Sequence, residues 1–227
     1  MREKGTSVSI AALALASVSG ASAADVELEP AVQAVTSWRF GDSREPLTAL
    51  AALVKASKSA PPKLLALERQ FVSLLLSPDA TYECKDFICR QLWIIGTKTS
   101  VPALAPMLAD EQYSDMARYA LERNPAPAAG KALRDALGQA SGKARIGIIN
   151  TLGARRDRSA VLALEKIVAG TDEDAAAAAA SALGAIGGAK PTAILARAKQ
   201  VGAPKVQDAA ILALAVMGGK PGPRIRK

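Results

Sequence analysis

The chain has 227 residues, half of them apolar, 22% charged and 4% aromatic, with a formal net charge of +8. Such a chain can bury a core and is not disordered by composition, and an apolar fraction drawn largely from Ala, Leu, Ile and Val points away from an antiparallel β protein, which would use more aromatic and β-branched residues. It contains no histidine, which removes Ser-His-Asp and Cys-His nucleophile activation, His-containing zinc and non-haem iron sites and CxxCH haem attachment, leaving carboxylate, lysine or tyrosine chemistry.

Residues 1–23 read as a secretory leader. Arg2 and Lys4 form its charged start, Ile10 to Val18 its apolar centre, and Ala21-Ser22-Ala23 a small-x-small cleavage site ahead of Ala24. The apolar stretch is far short of the roughly 20 residues that cross a bilayer, and no later segment is long and apolar enough to do so. Cleavage removes Arg2, Glu3 and Lys4, so the net charge falls from +8 to +7. The expected destination is the periplasm or the outside of the cell.

Residues 24–82 read as helical pairs in weak register. Helices are expected near Glu29–Arg39, Glu45–Ser57, Pro62–Leu76 and Glu83–Ile95, separated by the breaks Gly41-Asp42, Pro61-Pro62 and Pro78-Asp79. Cys84 and Cys89 are five apart. On one helix they point about 140° apart, which disfavours a bridge between them. A disulfide requires Cys84 to precede the helix; Cys89 reads as a small buried apolar residue. Trp38 and Trp93 read as packing residues, Trp93 because it lies in an apolar run with Leu92, Ile94 and Ile95.

Over residues 83–219 the sequence repeats itself. Gln91 to Leu104, Ala120 to Leu133, Thr151 to Leu164 and Ala182 to Leu195 align without gaps, and a partial fifth copy starts at Ala213. The offsets are 29, 31, 31 and 31 residues. The second position is Leu92, Leu121, Leu152, Leu183 and Leu214, and the last is Leu104, Leu133, Leu164 and Leu195. Each copy holds an apolar helix, a Gly/Pro/Asp break and a second apolar helix. The sixth position, Gly96, Pro125, Arg156, Gly187 and Gly218, suits a helix end, where glycine takes a left-handed conformation at low cost and proline stops the helix. Ser100 ahead of Val101-Pro102 and Thr171 ahead of Asp172, Glu173 and Asp174 read as openings of the helices that follow. Two helices of about 10–14 residues with their turns fill the period, and a lone pair cannot bury both its faces, so the pairs must stack. The Ala175 to Ala180 run lets neighbours approach closely. About twelve helices are expected in the mature chain, followed by a basic, proline-broken tail over residues 220–227.

The pattern Ala182-Leu183-Gly184-Ala185-Ile186-Gly187, with the AVxAL-like runs Ala160 to Leu164 and Ser100 to Leu104, resembles HEAT-type repeats, including those of exported bacterial HEAT-repeat proteins. The resemblance covers residues 83 to 218 well and 28 to 82 loosely. It implies an all-α fold, an α-solenoid of stacked antiparallel helix pairs whose second helices line a concave binding face. HEAT repeats often carry an arginine early in the second helix. Here those positions are Lys85, Ser114, Arg145, Ala176 and Gln207, two of five basic, so no continuous ladder is implied. Some HEAT-like proteins are metal hydroxylases that use His-Glu pairs, an activity the missing histidine does not allow to be carried over.

The densest basic cluster is Lys143, Arg145, Arg155, Arg156 and Arg158. It reads either as an anion-binding patch for phosphate, nucleic acid or an acidic protein surface, or as a solvated turn in which Asp157 pairs locally. Export and the scarcity of aromatics for base stacking argue against nucleic acid. The carboxylates Asp110-Glu111 and Asp172 to Asp174 sit at a turn and a helix start, where capping explains them better than hydrolysis, and they lack the spacing of a calcium loop. No phosphate-binding glycine loop is present; Gly184 and Gly187 punctuate the repeat. These readings converge on an exported protein-protein interaction scaffold or adaptor that does no chemistry of its own and needs no cofactor or metal. The alternatives are a polyanion or nucleic-acid binder acting through the cluster near Arg155, and an accessory subunit of an enzyme. The expected partner is another protein, with self-association through the open C-terminal end a further route.

Overall fold

The computed structural model describes residue 30 and residues 32–218. The predicted leader, Glu29 and the basic tail over 220–227 lie outside the described residues. The protein is all-α: among the described residues there are twelve α-helices, three short 3-10 turns and no strand. The helices are α1 (32–36), α2 (Glu45–Ala56), α3 (Pro61–Leu76), α4 (Tyr82–Ile95), α5 (Val101–Leu104) and α6 (Ser114–Glu122). They continue with α7 (Pro127–Ala136), α8 (Gly142–Ala154), α9 (Val161–Val168), α10 (Glu173–Ile186), α11 (Ala189–Val201) and α12 (Pro204–Met217). Two compact units divide the chain between Cys84 and Lys85.

In the first unit, Leu47, Leu50 and Val54 recur at helical spacing on α2 and are buried, as are Leu67, Phe71, Leu74 and Leu75 on α3. Pro61 opens α3, where its missing N–H costs nothing. Trp38 is a packing residue, buried against the edge of Phe40 with its indole N–H donated to the Ser43 carbonyl at 2.9 Å. Thr81 ties the start of α4 to this corner: its N–H donates to the Thr36 carbonyl and its hydroxyl to that of Trp38, while its Oγ1 accepts from the Cys84 N–H.

The second unit holds the repeats as two layers. In one layer α6 packs on α8, α8 on α10 and α10 on α12. In the other, α7 follows α5 and α11 follows α9, each also packing on the first layer. The repeat leucines explain the order. Leu92, Leu121, Leu152 and Leu183 are buried, as are Leu104, Leu133, Leu164 and Leu195. Small residues set how closely the first layer packs. Gly153 lies against Ala182, and a Cβ on it would come within 2.9 Å of the Ala182 Cβ. One repeat later Gly184 lies against Ala213, where the same distance would be 2.6 Å.

Several expected boundaries shift for local reasons. The helix opening at Val101 stops at Leu104, and a 3-10 turn over Pro106–Ala109 follows, because Pro106 has no N–H to continue the ladder and its ring crowds the preceding turn. Ser100 is no side-chain cap; its hydroxyl donates to the Thr97 carbonyl at 3.2 Å. The cap of α10 is Asp172 rather than Thr171, with its carboxylate accepting from the Ala175 N–H at 3.0 Å. Arg156 ends α8 in the left-handed region at φ 51°, the slot that Gly187 fills at φ 70° after α10. The N–H of Arg156 then reaches the Gly153 carbonyl and that of Asp157 the Leu152 carbonyl, a Schellman turn.

Candidate functional site

The five residues of the basic cluster do not form one patch. Lys143 and Arg145 sit at the start of α8, while Arg155, Arg156 and Arg158 lie beyond its other end. About ten residues of helix rise, roughly 15 Å, separate the two groups. Arg155 turns inward. Its Nη1 donates to the carbonyls of Leu121 at 2.5 Å, Glu122 at 2.9 Å and Asn124 at 2.8 Å. The Leu121 and Glu122 carbonyls belong to the last turn of α6, which lacks intrahelical donors, and Asn124 follows it, so the arginine of one repeat closes the helix of the repeat before it. Burial holds the Arg155 pKa below its ordinary value, and Asp157 acts in the opposite direction. Arg156 and Arg158 remain exposed. Asp157 pairs with Arg134 of α7 and accepts from the Ser159 N–H at 2.9 Å.

Arg118 makes a second link between repeats. Its Nη1 donates to the Gly147 carbonyl at 3.3 Å and to Thr151 Oγ1 at 3.2 Å on α8, and its Nη2 to Asp115 at 2.5 Å. Gly147 is required for this seat, since a Cβ there would lie 2.4 Å from Arg118 Nε.

The acidic candidates behave as caps and pairs. Asp110 accepts from the Gln112 N–H at 2.8 Å and the Tyr113 N–H at 3.3 Å, Asp172 caps α10, and Asp174 pairs with Lys205 across one repeat. No group of three or more Cys, Asp or Glu able to hold a metal ion occurs among the described residues, and no helix there is long and apolar enough to cross a membrane. Cys84 and Cys89 both lie inside α4 and are buried. With Cys84 within the helix, the condition set for a bridge between them is not met.

Trp93, read as a packing residue, packs on an aromatic ring at the surface and not wholly within the apolar core. It is half-buried, stacked on Tyr119 with ring centroids 5.4 Å apart and planes 15° from parallel. The Arg123 guanidinium lies 4.5 Å from the Trp93 ring centroid, and the Arg90 guanidinium 5.8 Å from that of Tyr119. Arg90 and Trp93 come from α4, Tyr119 from α6 and Arg123 from the C-cap of α6, so the rungs alternate between the two elements in the order Arg90, Tyr119, Trp93, Arg123. Lower on the same helix, Lys85 lies 5.5 Å from the ring centroid of Tyr113, just ahead of α6. Ile94, beside Trp93, is 46% exposed. The sequence does carry a trace of this surface: Arg90 and Trp93 are three apart, Tyr119 and Arg123 four apart, both spacings that share a helix face. Nothing in the sequence joins the two pairs.

Arrays of this composition have the residue types that dominate protein interfaces, where Trp, Tyr and Arg supply most of the binding energy. The rings hold the guanidinium groups in place, which lowers the ordering cost of engaging a partner.

No family model matches the chain, and no curated protein matches its sequence. Fourteen chains of solved structures match it. One is human deoxyhypusine hydroxylase in complex with glycerol, 14% identical, the match covering 87% of this chain and 98% of that one with a TM-score of 0.43. At that TM-score the likeness carries neither fold nor activity to this chain. The expectation of a protein that does no chemistry is corrected: the similar structure is that of an enzyme.

Proposed function

We propose that the protein is an exported interaction scaffold, periplasmic or extracellular, that binds another protein through the surface of its helical repeats. The observation that carries this reading is the cation-aromatic ladder of Arg90, Tyr119, Trp93 and Arg123 on α4 and α6. With aromatics at 4% of the chain, an indole and a phenol kept half-buried or exposed and flanked by arginines are better spent on recognition than on packing. The basic residues near Arg155 support a polyanion-binding reading less well, because Arg155 itself is committed to three backbone carbonyls.

The test is capture of partners by the tagged mature chain from envelope extract, run beside Trp93→Ala and Leu162→Ala. Leu162 is 61% exposed on α9, a helix that carries none of the ladder residues. A partner retained by the wild type and Leu162→Ala but lost with Trp93→Ala, at unchanged helical circular dichroism, is the expected result. Retention of the same partners by all three sinks the assignment to this face.

A further inference from the structure

Resting on the scaffold reading for its biological setting, the chemistry of the ladder also selects a class of partner. We propose that the α4/α6 face takes an acidic segment of a partner protein, with one carboxylate on Arg123 and another on Lys85.

The argument begins with charge. Among the described residues neither Arg123 nor Lys85 has an ion pair, whereas two nearby carboxylates, Asp86 and Asp115, are paired with other arginines. Asp86 accepts from Arg90 Nε at 2.9 Å, Asp115 accepts from Arg118 at 2.5 Å, and Glu122 is half-buried near Arg155. The face therefore presents two cations without an ion pair, with a neutral Arg90–Asp86 pair between them. Both cations lie over aromatic rings, which orients them and leaves their N–H groups for an acceptor. Lys85 and Trp93 are eight residues apart on one helix, roughly 12 Å along its axis. That spacing suits two carboxylates on one short segment, and the exposed Ile94 supplies an apolar contact beside them.

The rings themselves argue against a nucleic acid. A base needs a bare aromatic face to stack on. Here Trp93 already stacks on Tyr119 and has the Arg123 guanidinium over its ring, and Tyr119 has that of Arg90 over its own. What the ladder offers is donor edges rather than stacking platforms, and planar guanidinium donors match carboxylates.

The experiment uses the full mature chain and three probes: a capped eight-residue glutamate peptide, its glutamine counterpart, and an oligothymidylate of similar length. Affinities are read by titration calorimetry. The wild type is compared with Lys85→Gln/Arg123→Gln and with Arg156→Gln/Arg158→Gln, which removes the same charge from an exposed site elsewhere. Circular dichroism and thermal melting verify folding of both variants. The glutamate peptide is expected to bind the wild type at least tenfold more tightly than the glutamine peptide or the oligonucleotide. That binding should fall at least tenfold in Lys85→Gln/Arg123→Gln and less than twofold in Arg156→Gln/Arg158→Gln. Equal loss in the two variants, equal binding of the glutamine peptide, or preference for the oligonucleotide overturns the proposal. If Trp93→Ala loses a captured partner while the glutamate peptide fails to bind, the scaffold reading stands and the acidic partner falls. If the peptide binds as expected and no partner is captured, the reverse holds.

Discussion

Arg155 and Arg156 are neighbours with opposite employments. Arg155 carries a buried guanidinium across to three carbonyls of another repeat. Replacing it with alanine leaves those acceptors without their donor, a loss of about 2 kcal/mol by the usual worth of a hydrogen bond to a charged group. Urea denaturation of Arg155→Ala should show that loss, and an unchanged midpoint would mean that water replaces the guanidinium without cost. Arg156 is held in the left-handed region at φ 51°, which strains an L-residue and suits glycine. Arg156→Gly is therefore expected to raise stability by up to about 1 kcal/mol, less whatever glycine gains in unfolded freedom. A lower melting temperature for this variant would show that the exposed side chain contributes more than its backbone costs. The role of Arg155 is not legible from the chain, where the three arginines look alike around Asp157, whereas the repeat already aligns Arg156 with Gly187 at a helix end.

At the scale of the helix, the third position of each repeat copy decides how neighbours meet. It is Trp93 on α4, Glu122 on α6, Gly153 on α8, Gly184 on α10 and Ala215 on α12. The glycines admit Ala182 and Ala213 at close range, whereas Trp93 meets Tyr119 and makes the ladder. Adding a methyl at Gly184 gains helix propensity of about 1 kcal/mol but drives a Cβ to 2.6 Å from that of Ala213. Overpacking of this kind costs about 1–3 kcal/mol, so Gly184→Val, with more bulk still, should be destabilised by about 2 kcal/mol in chemical denaturation. Because the clash is with one methyl, a double-mutant cycle of Gly184→Ala with Ala213→Gly should return a coupling of at least about 0.5 kcal/mol. Additivity within error would mean that α10 and α12 separate to relieve the contact.

For the whole molecule, the export reading depends on residues 1–23 alone. Recovery of the protein from its native host, followed by N-terminal sequencing, is expected to begin at Ala24 in the fraction outside the cytoplasm. A chain that keeps Arg2 and Lys4 and stays in the cytoplasm would remove the envelope from the proposed function, while leaving the binding face on α4 and α6 unaffected.

The repeat, its helical character and its buried leucines could be read directly from the chain, because a period near 31 with leucine at fixed positions reports burial one turn at a time, and burial in a helix depends on local spacing. The end of α5 at Leu104, two residues ahead of Pro106, follows from the same local physics, although the repeat pattern led the expected helix past it. Which arginine turns inward, which tryptophan reaches the surface and which cations lie over rings were decided only in three dimensions. Arg155 finds its acceptors more than thirty residues away, and Trp93 finds Tyr119 on α6. A side chain's neighbours along the chain tell whether it is apolar or charged, but its partners across the stack set what that polarity is used for.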